Sequence, residues 1–270
     1  MDKKLKYRFD CVLAKTRRTI KRKLPLHLQL MIDQRKQSKS AIFVGHFSSE
    51  MQPPWSSPNV WNEIVNYYQR IEQPVIFEYG TGASSIWHFK NLLEINGTYI
   101  GVEIDKDWFW GVVSSLVKIA SLTTESIEIQ SNIRDDSVNG EVVISTNQGK
   151  AVLKLRMDWR SYVEALDQDC DVLVVDGAIR KQCIEHILST KYLRNPGMLM
   201  LMEAGRGAPD WWQGKLYGDE DYTPQVNRLI ELGGSFIDGN GVDQWPGCSR
   251  RSPKPTSYYY PKEAIKVVFR

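Results

Sequence analysis

The 270-residue chain has little of what several kinds of function require. Its four cysteines, Cys11, Cys170, Cys183 and Cys248, lie far apart with no CxxC pair, so free thiols are predicted rather than metal ligands, with Cys170 and Cys183 facing the core. No apolar run approaches the roughly 20 residues that a membrane span needs. The N-terminus lacks the apolar region of a signal peptide, which predicts a cytoplasmic protein. Hydrophobic residues make up 42% and charged residues 25%, ordinary proportions for a globular protein, and the length allows one large domain with an appendage.

What is present begins with an asymmetry of charge. Residues 1–40 carry 13 Lys/Arg and 3 Asp/Glu, a local net charge of +10. The other 230 carry 22 and 29, a net charge of −7, and the two sum to the overall +3. Leu5, Phe9, Val12, Leu13 and Ile20 recur at near-helical spacing among these bases, a pattern suited to an anionic membrane surface, an oligomer contact or a solvated extension. Basic residues thin out after residue 40, so no nucleic-acid partner is expected. The boundary is placed there: a basic extension and linker over 1–40 and the main domain over 41–270.

That domain is organised around residues 75–85, Val-Ile-Phe-Glu-Tyr-Gly-Thr-Gly-Ala-Ser-Ser. The apolar run, the pair Gly80 and Gly82, and the helical pattern opened by Ser84 predict a buried strand, a tight turn and a helix N-terminus whose amides face a ligand. A second apolar run, 98–105, ends in Glu103, which is 21 positions after Gly82, about the spacing at which a second strand delivers an acid to a ribose diol. A dinucleotide-binding loop would have a third glycine where Ser85 stands, and Glu78 would repel a pyrophosphate while suiting an ammonium group. A ligand with an amino-acid end and a ribose end fits these residues better.

With Asp171-Val-Leu-Val-Val-Asp176-Gly177 added, the chain resembles the class I S-adenosylmethionine-dependent methyltransferases over roughly residues 53–260. It is most similar to a bacterial-type branch with a Trp/Pro segment before the glycine loop (Pro53, Pro54 and Trp55 here), an acid-x-acid-x-x-Trp turn (Glu103 to Trp108) and an Asp-Gly-x-x-Arg-x-x-Cys run (Asp176 to Cys183). The resemblance implies a Rossmann-like, mostly parallel seven-stranded sheet with an antiparallel last strand and helices on both faces. It implies S-adenosylmethionine as cofactor: Gly80, Gly82 and Ser84 in close backbone approach, Glu78 at the amino end, Glu103 on the ribose hydroxyls. Asp158, beside Trp159, is the candidate for the adenine amine, with Asp135 its rival if residues 127–130 are the third strand. Asp176 lies nearest the methyl group and acceptor.

Ser57-Pro58 starts a helix, and Val60, Trp61, Ile64, Val65 and Tyr68 give it one apolar face. Helices are predicted over 84–95, carrying Trp87 and His88, and over 107–120. Over 124–158 a strand at 127–130 precedes an alternating pattern read as a hairpin insertion near 136–157. Residues 171–175 form an unbroken apolar run, as parallel strands buried on both faces do, and 197–202 form the fifth strand. A helix over 223–232 and strands over 234–239 and 256–260 complete the order.

Methyl transfer from a sulfonium is an in-line displacement, so the protein supplies positioning and, for a hydroxyl acceptor, a base. Asp176 is favoured as that base over His88 and His46. Glu203-Ala204 stands where metal-dependent relatives have an Asp-Asn pair, and no metal is expected. The Asn/Asp-Pro-Pro-aromatic motif of amino-group methylation is missing, which favours a hydroxyl of a small molecule or glycan as acceptor. A nicotinamide-dependent oxidoreductase, a nucleic-acid methyltransferase and a non-catalytic cofactor-binding scaffold are the competing readings.

Overall fold

A computed structural model gives the fold and describes residues 58–134, 137–202, 222–242 and 258–269. The basic extension, residues 41–57 with His46 and Trp55, Asp135, Asp136, and residues 203–217 with Glu203, Trp211 and Trp212 lie outside the described residues. No helix among those described is long and apolar enough to cross a membrane.

The first helix, α1 (Pro58–Tyr68), leads into β1 (Val75–Tyr79), α2 (Ala83–Leu93), β2 (Thr98–Glu103) and α3 (Lys106–Thr123). Then come β3 (Ile127–Ser131), β4 (Asn139–Thr146), β5 (Gly149–Arg156), α4 (Trp159–Val163), β6 (Cys170–Val175), α5 (Arg180–Ser189) and β7 (Leu193–Met202). The C-terminal part is α6 (Thr223–Glu231), β8 (Ser235–Val242) and β9 (Tyr258–Phe269). The strands form one sheet in the order β3-β4-β5-β2-β1-β6-β7-β9-β8. β5, β2, β1, β6 and β7 run parallel; β9 is antiparallel to β7 and β8, and β3 and β4 are antiparallel additions at the opposite edge.

Alternation along β1 explains how one strand serves two cores. Ile76 packs with Trp61, Phe89 and Val112 on the face covered by α1, α2 and α3, while Phe77 and Tyr79 pack with Tyr162, Cys183 and Ile184 on the face covered by α4, α5 and α6. Every residue of β6 is buried, as the unbroken apolar run predicts. Cys170 and Cys183 are buried free thiols, and burial pushes the Cys170 thiol up to about 12.

Three expectations need correction. The sheet has nine strands among the described residues rather than seven. The 136–157 hairpin is not an insertion as a whole: its second arm, β5, pairs in parallel with β2 from Thr98↔Lys150 to Glu103↔Leu155 and is the third parallel strand. The addition is β3 and β4. The last strand extends well past residue 260, and its pairing with β7 lies entirely over Ala264 to Phe269.

Candidate functional site

The chain builds outward from β1 to β2 and β5, then returns to lay β6 and β7 on the other side of β1. The reversal falls between β1 and β6, where open α/β sheets bind ligands at the strands' carboxyl ends. At that point the two loops touch. A Cβ on Gly80 would overlap the Gly177 backbone, and one on Gly177 would overlap the Tyr162 hydroxyl and Gly80. Gly80 also has φ +85°, so two glycines are required here by space and one of them by conformation as well.

The glycine loop is clamped from the second strand. Glu103 accepts from Thr81 N (3.1 Å) and Thr81 Oγ1 (3.0 Å) on one oxygen, and from Ile104 N (2.8 Å) and Asp105 N (2.9 Å) on the other. These four bonds fill the four acceptor positions of a carboxylate. Asp105 caps α3 by accepting from Trp108 N at 2.8 Å, and the Trp108 indole N–H donates to Thr81 O. The acid-x-acid-x-x-Trp turn is therefore a brace for the loop. Burial raises the Glu103 carboxyl above its ordinary value, opposed by the amides of Asp105 and Thr81, the Thr81 hydroxyl and the Ile104 amide.

The loop's amides turn inward, contrary to the expectation that they face a ligand. Gly80 N donates to Val102 O (3.1 Å), Thr81 N to Glu103, and Gly82 N to Ser85 Oγ (2.8 Å). Three consecutive N–H groups are thus engaged within the protein. A phosphate cradle needs such groups directed at the anion.

Beneath the loop lies Glu78, fully buried. Its Oε2 accepts from Ser85 Oγ (2.9 Å) and from the Tyr99 hydroxyl, while its Oε1 has no hydrogen-bond partner among the described residues. Burial pushes its carboxyl up to about 7; the hydroxyls of Ser84, Tyr99 and Ser85 oppose that rise and the negative charge of Asp176 adds to it. Ser84 is itself buried at the start of α2.

The other predicted residues divide. Asp158 follows β5 and so sits at the same sheet edge, which favours it over Asp135 as the acid after the third parallel strand. It is exposed and caps α4 through Ser161 N (2.8 Å), and its bonds to Ser161, then to Asn139, hold its carboxyl below the ordinary range. Trp159 is 40% exposed and Met157 43%, so apolar surface flanks this acid. Asp176, about one-third exposed, follows β6, and Arg180 Nη2 donates to its Oδ1 (3.2 Å) and its carbonyl (3.1 Å).

His88 is not brought to this edge. Its ring is fully buried on α2 against Trp61 (5.3 Å between centroids), Trp87 (5.4 Å) and Tyr68 (6.1 Å), and both nitrogens lack partners among the described residues. Burial lowers it to about 3, leaving a neutral and weakly basic imidazole. This enclosure argues against His88 as the alternative candidate for the base.

Sequence reasoning missed Tyr99 and the function of Ser85. A signal was available: Gly101 lies inside a strand, opposite Glu78, and a strand glycine often marks a close approach. A Cβ there would stand 2.6 Å from the Tyr99 hydroxyl and 2.7 Å from Thr81 Cγ2.

No family model matches the chain, and no curated protein matches it. Solved structures do. The O-methyltransferase TomG from Streptomyces achromogenes, in complex with S-adenosylmethionine, is 14% identical with a TM-score of 0.49, over 86% of this chain and 96% of that one. The O-methyltransferase from Bacillus cereus, in complex with S-adenosylhomocysteine, is 14% identical with a TM-score of 0.47, over 91% and 93%. A putative O-methyltransferase from Klebsiella pneumoniae is 15% identical with a TM-score of 0.47, over 81% and 84%. Five parallel strands reversing between β1 and β6, closed by antiparallel β9 and then β8, form a Rossmann-like sheet with two strands added beyond β5, the architecture that the resemblance to class I methyltransferases implies.

Proposed function

We propose that this protein is an S-adenosylmethionine-dependent methyltransferase, acting on a hydroxyl of a small molecule or glycan. The observation that carries the reading is Glu78: a buried carboxylate with one oxygen unpartnered among the described residues, beneath a glycine loop whose amides are already engaged. That arrangement suits an ammonium group and leaves a pyrophosphate without amide donors, above an acid that carries no positive charge. It favours the methionine end of this cofactor over a nicotinamide dinucleotide.

The remaining roles follow from position at the carboxyl edge. The contact between Gly80 and Gly177 keeps side chains out of the switch point, so a ligand can approach the backbone. Glu103 would accept the ribose hydroxyls, Asp158 the adenine amine, and exposed Trp159 would cover the ring beside it. Bound cofactor would supply a methyl group on a positively charged sulfur. Asp176 is the group assigned to accept the proton of the acceptor hydroxyl, with Arg180 fixing its orientation at 3.2 Å. The basic residues 1–40 would hold the protein against an anionic membrane surface on the cytoplasmic side, near a membrane-borne glycan acceptor.

Calorimetric titration with S-adenosylhomocysteine and, separately, with NAD tests the reading. Micromolar binding of the first alone is expected, weakened at least tenfold or so by Asp158→Ala and by Glu78→Gln. Binding of NAD with no response to S-adenosylhomocysteine overturns it. Methyl transfer to a panel of hydroxyl and amine acceptors then decides the acceptor class, and loss of turnover with retained cofactor affinity in Asp176→Asn is the result expected of a base.

A further inference from the structure

The polar contacts around Glu78 go further than its identity as a cofactor contact. We propose that Tyr99 is a positioning residue for this site: its hydroxyl holds the Glu78 carboxylate with the second oxygen presented to a ligand's ammonium group, so that binding releases a proton and Tyr99 sets the pH at which it does so. This rests on the methyltransferase reading, in which the ammonium belongs to the cofactor's amino-acid end.

The geometry begins with register. In the parallel pair β1–β2, Ile76 lies opposite Tyr99 and Glu78 opposite Gly101, so Tyr99 points to the same face as Glu78, two positions lower. Its ring reaches Glu78 by passing over Gly101, where any Cβ would stand 2.6 Å from its hydroxyl. The bond it donates falls on Oε2, the oxygen that also accepts from Ser85 Oγ at 2.9 Å. Ser85 in turn accepts from Gly82 N at 2.8 Å, so both donors are anchored, one in the strand and one in the loop. Oε1 is left fully buried and without a partner among the described residues.

The charges around Glu78 do not neutralise it. From β2 come Tyr99 and, at the strand's end, Glu103; from α2 come Ser84 and Ser85, with His88 farther along and neutral. From β6 comes Asp176, whose charge opposes ionisation and whose carboxylate is paired with Arg180. Burial therefore favours the protonated acid, and the hydroxyls of Ser84, Tyr99 and Ser85 limit that preference. An arriving ammonium supplies the missing counter-charge. The protonated carboxyl and the ligand cation become a carboxylate–ammonium pair, and one proton leaves to solvent.

The test is titration calorimetry with S-adenosylhomocysteine between about pH 5.5 and 8, in two buffers of different ionisation heat, on wild type, Tyr99→Phe and Glu78→Gln. Wild-type affinity should rise about tenfold per unit up to about pH 7 and then level, with proton release below the break. Tyr99→Phe should move the break upward, giving roughly tenfold weaker binding near pH 7 that narrows toward pH 8. Glu78→Gln should bind weakly, with no pH dependence and no proton release. Gly101→Ala crowds the Tyr99 hydroxyl, should move the break the same way, and serves if Tyr99→Phe does not fold. A loss of affinity in Tyr99→Phe by the same factor at every pH, or a wild-type profile that is flat, overturns the inference and leaves the methyltransferase reading standing. Wild type that binds no S-adenosylhomocysteine at any pH overturns that reading and this inference with it.

Discussion

Glu78 and Asp171 are both buried carboxylates on neighbouring strands of one sheet, and they are treated in opposite ways. Asp171, at the amino end of β6, accepts from Val75 N (2.8 Å) and from Arg194 Nη1 on both oxygens (3.1 and 2.9 Å), and so closes that end of the sheet. Glu78, toward the carboxyl end of β1, keeps one oxygen without a partner and no neighbouring base pairs with it among the described residues. Asp171 is satisfied by the fold, whereas Glu78, left partly unsatisfied, marks a place completed by something else. Glycines crowd at both ends, Gly97 with Gly149 at the amino end and Gly80 with Gly177 at the carboxyl end, and the second pair is the one beside Glu78.

The largest effect is expected where that crowding is broken. Gly80→Ala places a Cβ into the Gly177 backbone at a positive φ, and should destabilise the protein by about 3 kcal/mol or more, read as a fall in the urea midpoint, with loss of cofactor binding. Glu78→Gln should instead stabilise. The folded-state value near 7 lies above the ordinary 4.5, so Glu78 favours folding most below about pH 4.5 and loses that contribution as pH rises to about 7. At pH 8 the substitution should gain on the order of 2 kcal/mol, less than the full linkage value because the amide also lacks partners. A variant that is less stable than wild type at pH 8 would remove the distinction between the two acids.

Asp171→Ala should cost about 2 kcal/mol by stranding the Val75 amide, while leaving affinity for S-adenosylhomocysteine unchanged. Trp108→Phe should give the smallest change, about 1 kcal/mol for the lost bond to Thr81 O, together with faster amide exchange at Gly82 in native-state hydrogen exchange.

Much of this was legible in the sequence, for identifiable reasons. Residues 75–85, 98–105 and 171–177 declare themselves because parallel strands buried on both faces are written as unbroken apolar runs, and their ends carry the glycines and acids. The third parallel strand escaped because Lys154 interrupts its run. That lysine is buried, with its ammonium held by Ala165 O (2.8 Å) and Asp167 Oδ1 (2.6 Å), contacts that no local pattern predicts. The alternating residues then read as a two-sided hairpin arm. His88 misled for a related reason: helical spacing places it near the loop, but rotation about the helix axis turns it toward Trp61 and Tyr68. The long reach of β9 was hidden by Pro261, which interrupts the strand pattern before the segment that pairs with β7.

The saturated carboxylate of Glu103 has a consequence for selectivity. Any sugar diol that binds there must evict hydrogen bonds that already exist, so its arrival is an exchange and the enthalpy gained is small. A ligand lacking one hydroxyl would lose little, because Thr81 can resume its place and no buried acceptor is left bare. Under the proposed function, discrimination between ribose and deoxyribose forms of the cofactor at this position should be slight, closer to a few-fold than to the large factors of sites that wait unpaired.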